Sequence, residues 1–169
     1  MALVIATCSP ARSISPTQEY NVFIEDGFSS NQRGDILDGL HEWEDTTFHA
    51  VRFFQVAGID KSRSLIVIAP ITRHGMDEEF PGLIGRATFH GSDNDILIVT
   101  DLGRRDFYQT VLHEVGHALG LDHDSNLDHS YKTTMMAHTL DSTAHVTCLD
   151  LQAFCDVWDC DVMVLPRCQ

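Results

Sequence analysis

His113, His117 and His123 are spaced H-x-x-x-H-x-x-x-x-x-H, and Glu114 directly follows the first of them. Imidazoles at i and i+4 project from one face of a helix about a turn apart, so both can reach one metal ion. The third histidine lies six residues further on and can join them only if the chain turns back. Glu114 stands on the flank of the same face, where it can hold and deprotonate a water polarised by the metal without being a ligand itself. Together these four residues point to metal-assisted hydrolysis. Zinc is the ion suited to three imidazoles and an open fourth position.

The spacing makes demands on the surrounding elements. Gly120 is where the helix must stop, because glycine accepts the left-handed conformation that reverses the chain at a helix C-terminus. At the other end, Asp106 with Gln109 three residues later has capping-box spacing, which predicts an active-site helix from about Phe107 to Leu119. Phe107, Val111, Val115 and Ala118 form its buried stripe, leaving His113 and His117 to face a cleft.

Upstream, Tyr20, Val22 and Ile24 alternate with polar residues as a strand. Ser29 and Gln32 cap a helix whose apolar positions are Ile36, Leu37, Leu40 and Trp43. Val51–Val56, Leu65–Ala69, Leu83–Phe89 and Asp95–Thr100 read as four further strands, the last two separated by a turn-rich loop at 90–94. The segment containing Gly85 and Ala87 has the small residues that would let a peptide approach a sheet edge closely; a core-facing strand with a glycine bulge is the other reading. Thr147 with Asp150 starts a last helix with an apolar face of Leu151, Phe154 and Trp158, giving five strands and three helices.

The run from His113 to His123 resembles the extended zinc motif of the metzincin clan of metallopeptidases, and Ala118 to His123 is most similar to the matrixin branch. Asp124 departs from the serine usual in matrix metalloproteinases and is closer to the aspartate of adamalysins. The resemblance implies a zinc endopeptidase that takes protein or peptide substrates, with Glu114 as general base and then acid. It implies an α+β fold of the zincin type: a twisted, mainly parallel five-stranded sheet with an antiparallel edge strand, an active-site helix, and a small C-terminal subdomain with a final helix. It divides a single catalytic domain, 1–169, into an upper subdomain at about 15–120 and a lower one at about 121–169. Metzincins carry a methionine in a tight turn beneath the metal, and Thr134-Met135-Met136 fits that order with Met136 in the role. A thioether there is a soft apolar floor. His138 then stands where some metzincins place a tyrosine that reaches the metal or the oxyanion. Tyr131 and Leu140 are expected to line the pocket for the residue after the cut.

The chain has 169 residues, 43% hydrophobic and 21% charged, which suits one domain with a normal core and argues against disorder. A net charge of -14 with only 11 Lys and Arg argues against nucleic-acid binding. Some carboxylates could hold structural calcium, although no stretch matches a calcium loop well. No run approaches the ~18 apolar residues of a membrane span, and the first eight residues lack the basic start of a signal peptide. Four of the five cysteines, Cys148, Cys155, Cys160 and Cys168, fall in the last 22 residues, and the fifth is Cys8. Such clustering suggests a disulfide-stapled C-terminus in a secreted or extracytoplasmic monomer, with one thiol left over. A second zinc held by those four is the competing reading, but it lacks paired C-x-x-C spacing.

Overall fold

The computed structural model describes residues 17–90, 92–123, 134–136 and 145–160. Strand β1 (Gln18–Ile24) leads into helix α1 (Ser30–Thr46), then β2 (Val51–Val56), β3 (Ser64–Ile71), α2 (Arg73–Glu79), β4 (Gly85–His90), β5 (Asp93–Val99), α3 (Arg104–Ala118) and α4 (Cys148–Trp158). The strands form one sheet in the order β2-β1-β3-β5-β4. All neighbours run parallel except β4, which pairs antiparallel with β5 and forms one edge. This is the mainly parallel sheet with an antiparallel edge strand that the resemblance implied.

Alternation along β1 explains how the sheet is covered. Tyr20, Val22 and Ile24 enter the core with Ile66, Ile68, Ile96 and Ile98 of the neighbouring strands and with the apolar faces of α1 and α3. Asn21, on the opposite face, is also fully buried, and its Nδ2 donates to Asp60 O at 2.9 Å and to Ser62 Oγ at 3.3 Å. Those bonds tie down the short 57–63 connection, which must cross β1 to join two parallel strands lying on either side of it.

Helix α1 begins at the capping box predicted for it: Ser29 Oγ accepts from Gln32 N, and the Gln32 side chain receives the Ser29 N–H. Ile36, Leu40 and Trp43 are buried as expected. Trp43 Nε1 donates to Leu112 O at 3.0 Å, which fixes α1 against α3. The second capping box, at Thr147 and Asp150, is also present and starts α4.

Some element boundaries and one helix differ from the sequence reading. Helix α3 starts at Arg104 with Gly103 at its N-cap, not after an Asp106 cap. Nothing at Arg104 or Arg105 resists the helix, and the Arg104 guanidinium is held by buried Asp35 of α1 at 2.8 and 3.0 Å, so the helix gains a turn at its start. Asp106 sits in that first turn, where a carboxylate suits the positive end of the helix. Pairing between β4 and β5 extends into the loop expected at 90–94, out to His90 and Asp93. Helix α2 is a fourth helix that periodicity does not reveal. It is only seven residues long and depends on Thr72, whose Oγ1 accepts from Gly75 N at 3.1 Å.

Candidate functional site

The stripe of Phe107, Val111, Val115 and Ala118 is buried, as predicted, and turns His113, Glu114 and His117 toward the cleft beside β4. After His117 the helix closes in the turn that Gly120 makes possible. Gly120 has φ +90°, its N–H donates to His117 O at 2.8 Å, and Leu121 N donates to Gly116 O at 3.1 Å. This pair of bonds is the Schellman arrangement. It also sets Leu121 O at 2.8 Å from His117 Nδ1, so one residue both caps the helix and orients a candidate ligand.

The three imidazoles converge. His113 Nε2 lies 3.1 Å from His123 Nε2, and His117 Nε2 lies 3.2 Å from it. Three nitrogens bound at about 2.0–2.1 Å to a tetrahedral zinc stand about 3.3 Å apart, so the spacing fits that ion. The tautomers fit as well. His113 Nδ1 meets Met135 O at 2.8 Å, as His117 Nδ1 meets Leu121 O, and a carbonyl can only accept. Both protons therefore sit on Nδ1, leaving the Nε2 lone pairs aimed at a common point. Burial pushes the His113 pKa down to about 4, which keeps the ring neutral and able to ligate. Among the described residues, these three histidines are the one group of metal-binding side chains close enough to share an ion.

Glu114 is buried, and burial pushes its carboxyl up to about 8, opposed by the hydrogen bond from the Ala87 backbone. A carboxyl that holds protons this well can accept one near neutrality, and a neighbouring dication would pull the value back down. The approach of β4 is unusually close here. A Cβ on Gly85 would lie 2.6 Å from Glu114 Oε1 and 2.5 Å from Thr110 Cγ2, so this strand can lie against the carboxylate only with glycine at that position. Regular pairing runs through Gly85 and Ala87, without the bulge considered from the sequence. β4 and the histidines line a cleft of about 430 Å³.

Met136 is fully buried beneath α3, and a Cβ on Gly116 would come within 2.4 Å of its sulfur. The turn carrying it is held by Asp150, which the sequence reading saw only as the partner in a helix cap. Its carboxylate accepts from Met135 N at 2.9 Å, Met136 N at 3.0 Å and Thr134 Oγ1, as well as from Thr147 N at 2.8 Å and Thr147 Oγ1 at 2.7 Å. Its capping spacing was visible, but its partners 14 to 16 residues upstream leave no local signal. Trp158 of the same helix donates from Nε1 to Leu119 O at 3.0 Å. Cys155 and Cys160 form a disulfide and Cys148 is also disulfide-bonded, which overturns the second-zinc reading, since oxidised sulfurs cannot ligate as thiolates. His138, Asp124, Tyr131, Leu140, Cys8 and Cys168 lie outside the described residues.

Neither a family model nor a curated relative matches the sequence. Solved structures do. Archaemetzincin from Methanopyrus kandleri superposes with a TM-score of 0.56 at 11% identity, covering 86% of this chain and 97% of its own. Myroilysin gives 0.55 at 16%, covering 86% and 83%. High choriolytic enzyme 1, a hatching enzyme zinc-protease from the medaka Oryzias latipes, gives 0.57 at 13%, covering 92% and 99%. Sequences this distant share architecture rather than local detail, and the chain adopts the metzincin-like fold common to these three proteins.

Proposed function

We propose that the chain is a zinc-dependent endopeptidase. The observation that carries this reading is the convergence of three Nε2 atoms, with the Nδ1 protons of His113 and His117 fixed on carbonyls, beside a buried carboxylate and an open sheet edge. His113, His117 and His123 would hold zinc, which when bound polarises the scissile carbonyl and acidifies water. A peptide extends along the β4 edge, pairing its backbone as an added strand. Glu114 takes a proton from the attacking water and passes it to the leaving amine, so one carboxyl serves both halves of the reaction. Met136 supplies the apolar floor under the imidazoles, and His138 is assigned to donate a hydrogen bond to the oxyanion.

In this reading the cleft separates an upper subdomain at about 15–120 from a lower one at about 121–169, and the local sequence from Ala118 to His123 favours a matrixin-like subtype. The Cys155–Cys160 bridge supports an oxidising, extracytoplasmic setting for a monomer. No helix among the described residues is long and apolar enough to cross a membrane.

The test is zinc content together with cleavage of casein, for the wild type and Glu114→Gln. About one zinc in each protein with cutting by the wild type alone is the expected result. Zinc in both without cutting would turn the reading toward a catalytically silent protein-binding domain. No zinc in either would overturn it.

A further inference from the structure

Strand β4 also borders the cleft with one charged residue, Arg86. Gly85 and Ala87 face α3 and touch Glu114, so Arg86 between them projects from the other side of the strand, at the level of the site. It is the only cation among the described residues lining the cleft, where Glu114 is the only carboxylate. Among the described residues, most of the other arginines and lysines are paired: Arg33 with Asp26, Arg63 with Glu19, Arg73 with Asp101, Arg104 with Asp35 and Lys61 with Asp93. Arg86 is half-buried and has no carboxylate partner among the described residues. Its guanidinium instead lies over Phe80, with Cζ 3.8 Å from the ring centroid.

Stacking has a chemical consequence. A guanidinium held against an aromatic face keeps its N–H donors in the plane, with their outer edge open, and that edge matches a carboxylate in bidentate geometry. The Phe80 backbone is held, because its N–H caps α2 on Met76 O and its carbonyl accepts from Leu83 N at 3.2 Å. The donor fork is therefore oriented before any ligand arrives, on the strand along which a peptide would lie. The net charge of -14 repels acidic ligands at long range, but at physiological salt that field is screened over about 8 Å, and the contact at Arg86 acts well inside this distance.

Resting on the endopeptidase reading, we propose that Arg86 is a specificity-determining residue that selects substrates with a glutamate or aspartate side chain close to the bond cut. The test uses acetylated, C-terminally amidated fluorogenic peptides that differ only in carrying Glu, Gln or Lys at single positions around the cleavage site. Blocked ends keep a terminal carboxylate from acting in place of the side chain. In the wild type, Glu should exceed Gln at one position by about five- to tenfold in kcat/KM, with Lys below both, and the ratio should shrink as salt is raised. The ratio should fall to near one in Arg86→Gln and invert in favour of Lys in Arg86→Glu.

Fluorescence anisotropy of the same peptides on zinc-loaded Glu114→Gln should show the same order of affinities. Cleavage with a Glu to Gln ratio near one at every position, or a ratio that survives Arg86→Gln, overturns the assignment and leaves the endopeptidase standing. Preferential binding of the Glu peptide, lost with Arg86→Gln but accompanied by no cleavage in the wild type, does the reverse. Absence of both binding and cleavage overturns both.

Discussion

Removing the Asp150 carboxylate should damage the fold and the candidate metal site together, by amounts that can be worked out from its contacts. The side chain is buried and accepts five hydrogen bonds, three from the 134–136 turn and two from Thr147. In Asp150→Ala the backbone N–H groups of Met135 and Thr147 lose the carboxylate as acceptor, Met136 N keeps Thr134 Oγ1 at 3.1 Å, and the two threonine hydroxyls can rotate to others. Stranding a buried N–H costs about 1–3 kcal/mol, and water entering the vacated space offsets part of this, so the expected loss is about 2–4 kcal/mol. For a domain of this size that lowers Tm by roughly 5–15 °C.

Asp150→Asn should cost less, because its oxygen can still serve Met135 and Thr147 while its NH2 opposes chiefly the Met136 N–H. The effect on zinc follows from Met135 O, the acceptor that fixes His113, and loss of such an orienting contact typically weakens metal affinity about 10- to 100-fold. Urea unfolding in EDTA isolates the effect on the fold, and competition with a chromophoric chelator measures the effect on zinc. If Asp150→Ala unfolds within about 1 kcal/mol of the wild type and binds zinc equally well, the turn is not held as argued here.

Two further substitutions probe contacts on the other sides of the site. Gly85→Ala places a methyl 2.6 Å from Glu114 Oε1 and 2.5 Å from Thr110 Cγ2, which should cost about 1–3 kcal/mol and, by displacing the carboxylate, lower casein cleavage about 100-fold. Adding Thr110→Ser removes the methyl that clashes but keeps the hydroxyl bonded to Asp106 O, so stability should recover while activity does not; full recovery of cleavage would refute the argument. Replacing both Cys155 and Cys160 by serine opens a loop with a sequence separation of 5, for which chain entropy gives about 2 kcal/mol, and equal urea midpoints for variant and wild type would contradict it.

What the sequence made legible was local. The capping boxes at Ser29 and Thr147 and the stop at Gly120 each depend on residues within one helical turn, so their spacing is visible along the chain. The same rule misled at Asp106, because Arg104 finds Asp35 on another helix and the pattern cannot register a partner 69 residues away. Helix α2 escaped notice because seven residues are too few to establish a period. The candidate ligands were legible because two share a helical face and the third follows a turn, whereas Gly85 against Glu114 and Asp150 beneath Met135 are contacts between separate elements. The edge position of β4 lay between these cases. Small residues suggested it, and only the pairing order established it.

The distinction between local and long-range contacts also explains how three imidazoles come to point at one another. His123 Nε2 lies 3.1–3.2 Å from the Nε2 atoms of His113 and His117, and bonds made elsewhere hold the latter two rings in place. One of these is local: the Schellman turn fixes Leu121 O, and through it His117. Another is distant: Asp150 of α4 fixes the 134–136 turn, and Met135 O fixes His113. Beneath both, Trp43 of α1 bonds Leu112 O and packs against Gly116 together with the Met136 sulfur, so the helix carrying the histidines is clamped from the core side. The orientation of the candidate ligands is thus a property of the polypeptide's own hydrogen bonds. An ion entering the site would meet donors already aligned, and the reorganisation that a flexible histidine cluster would undergo on binding has been completed by folding.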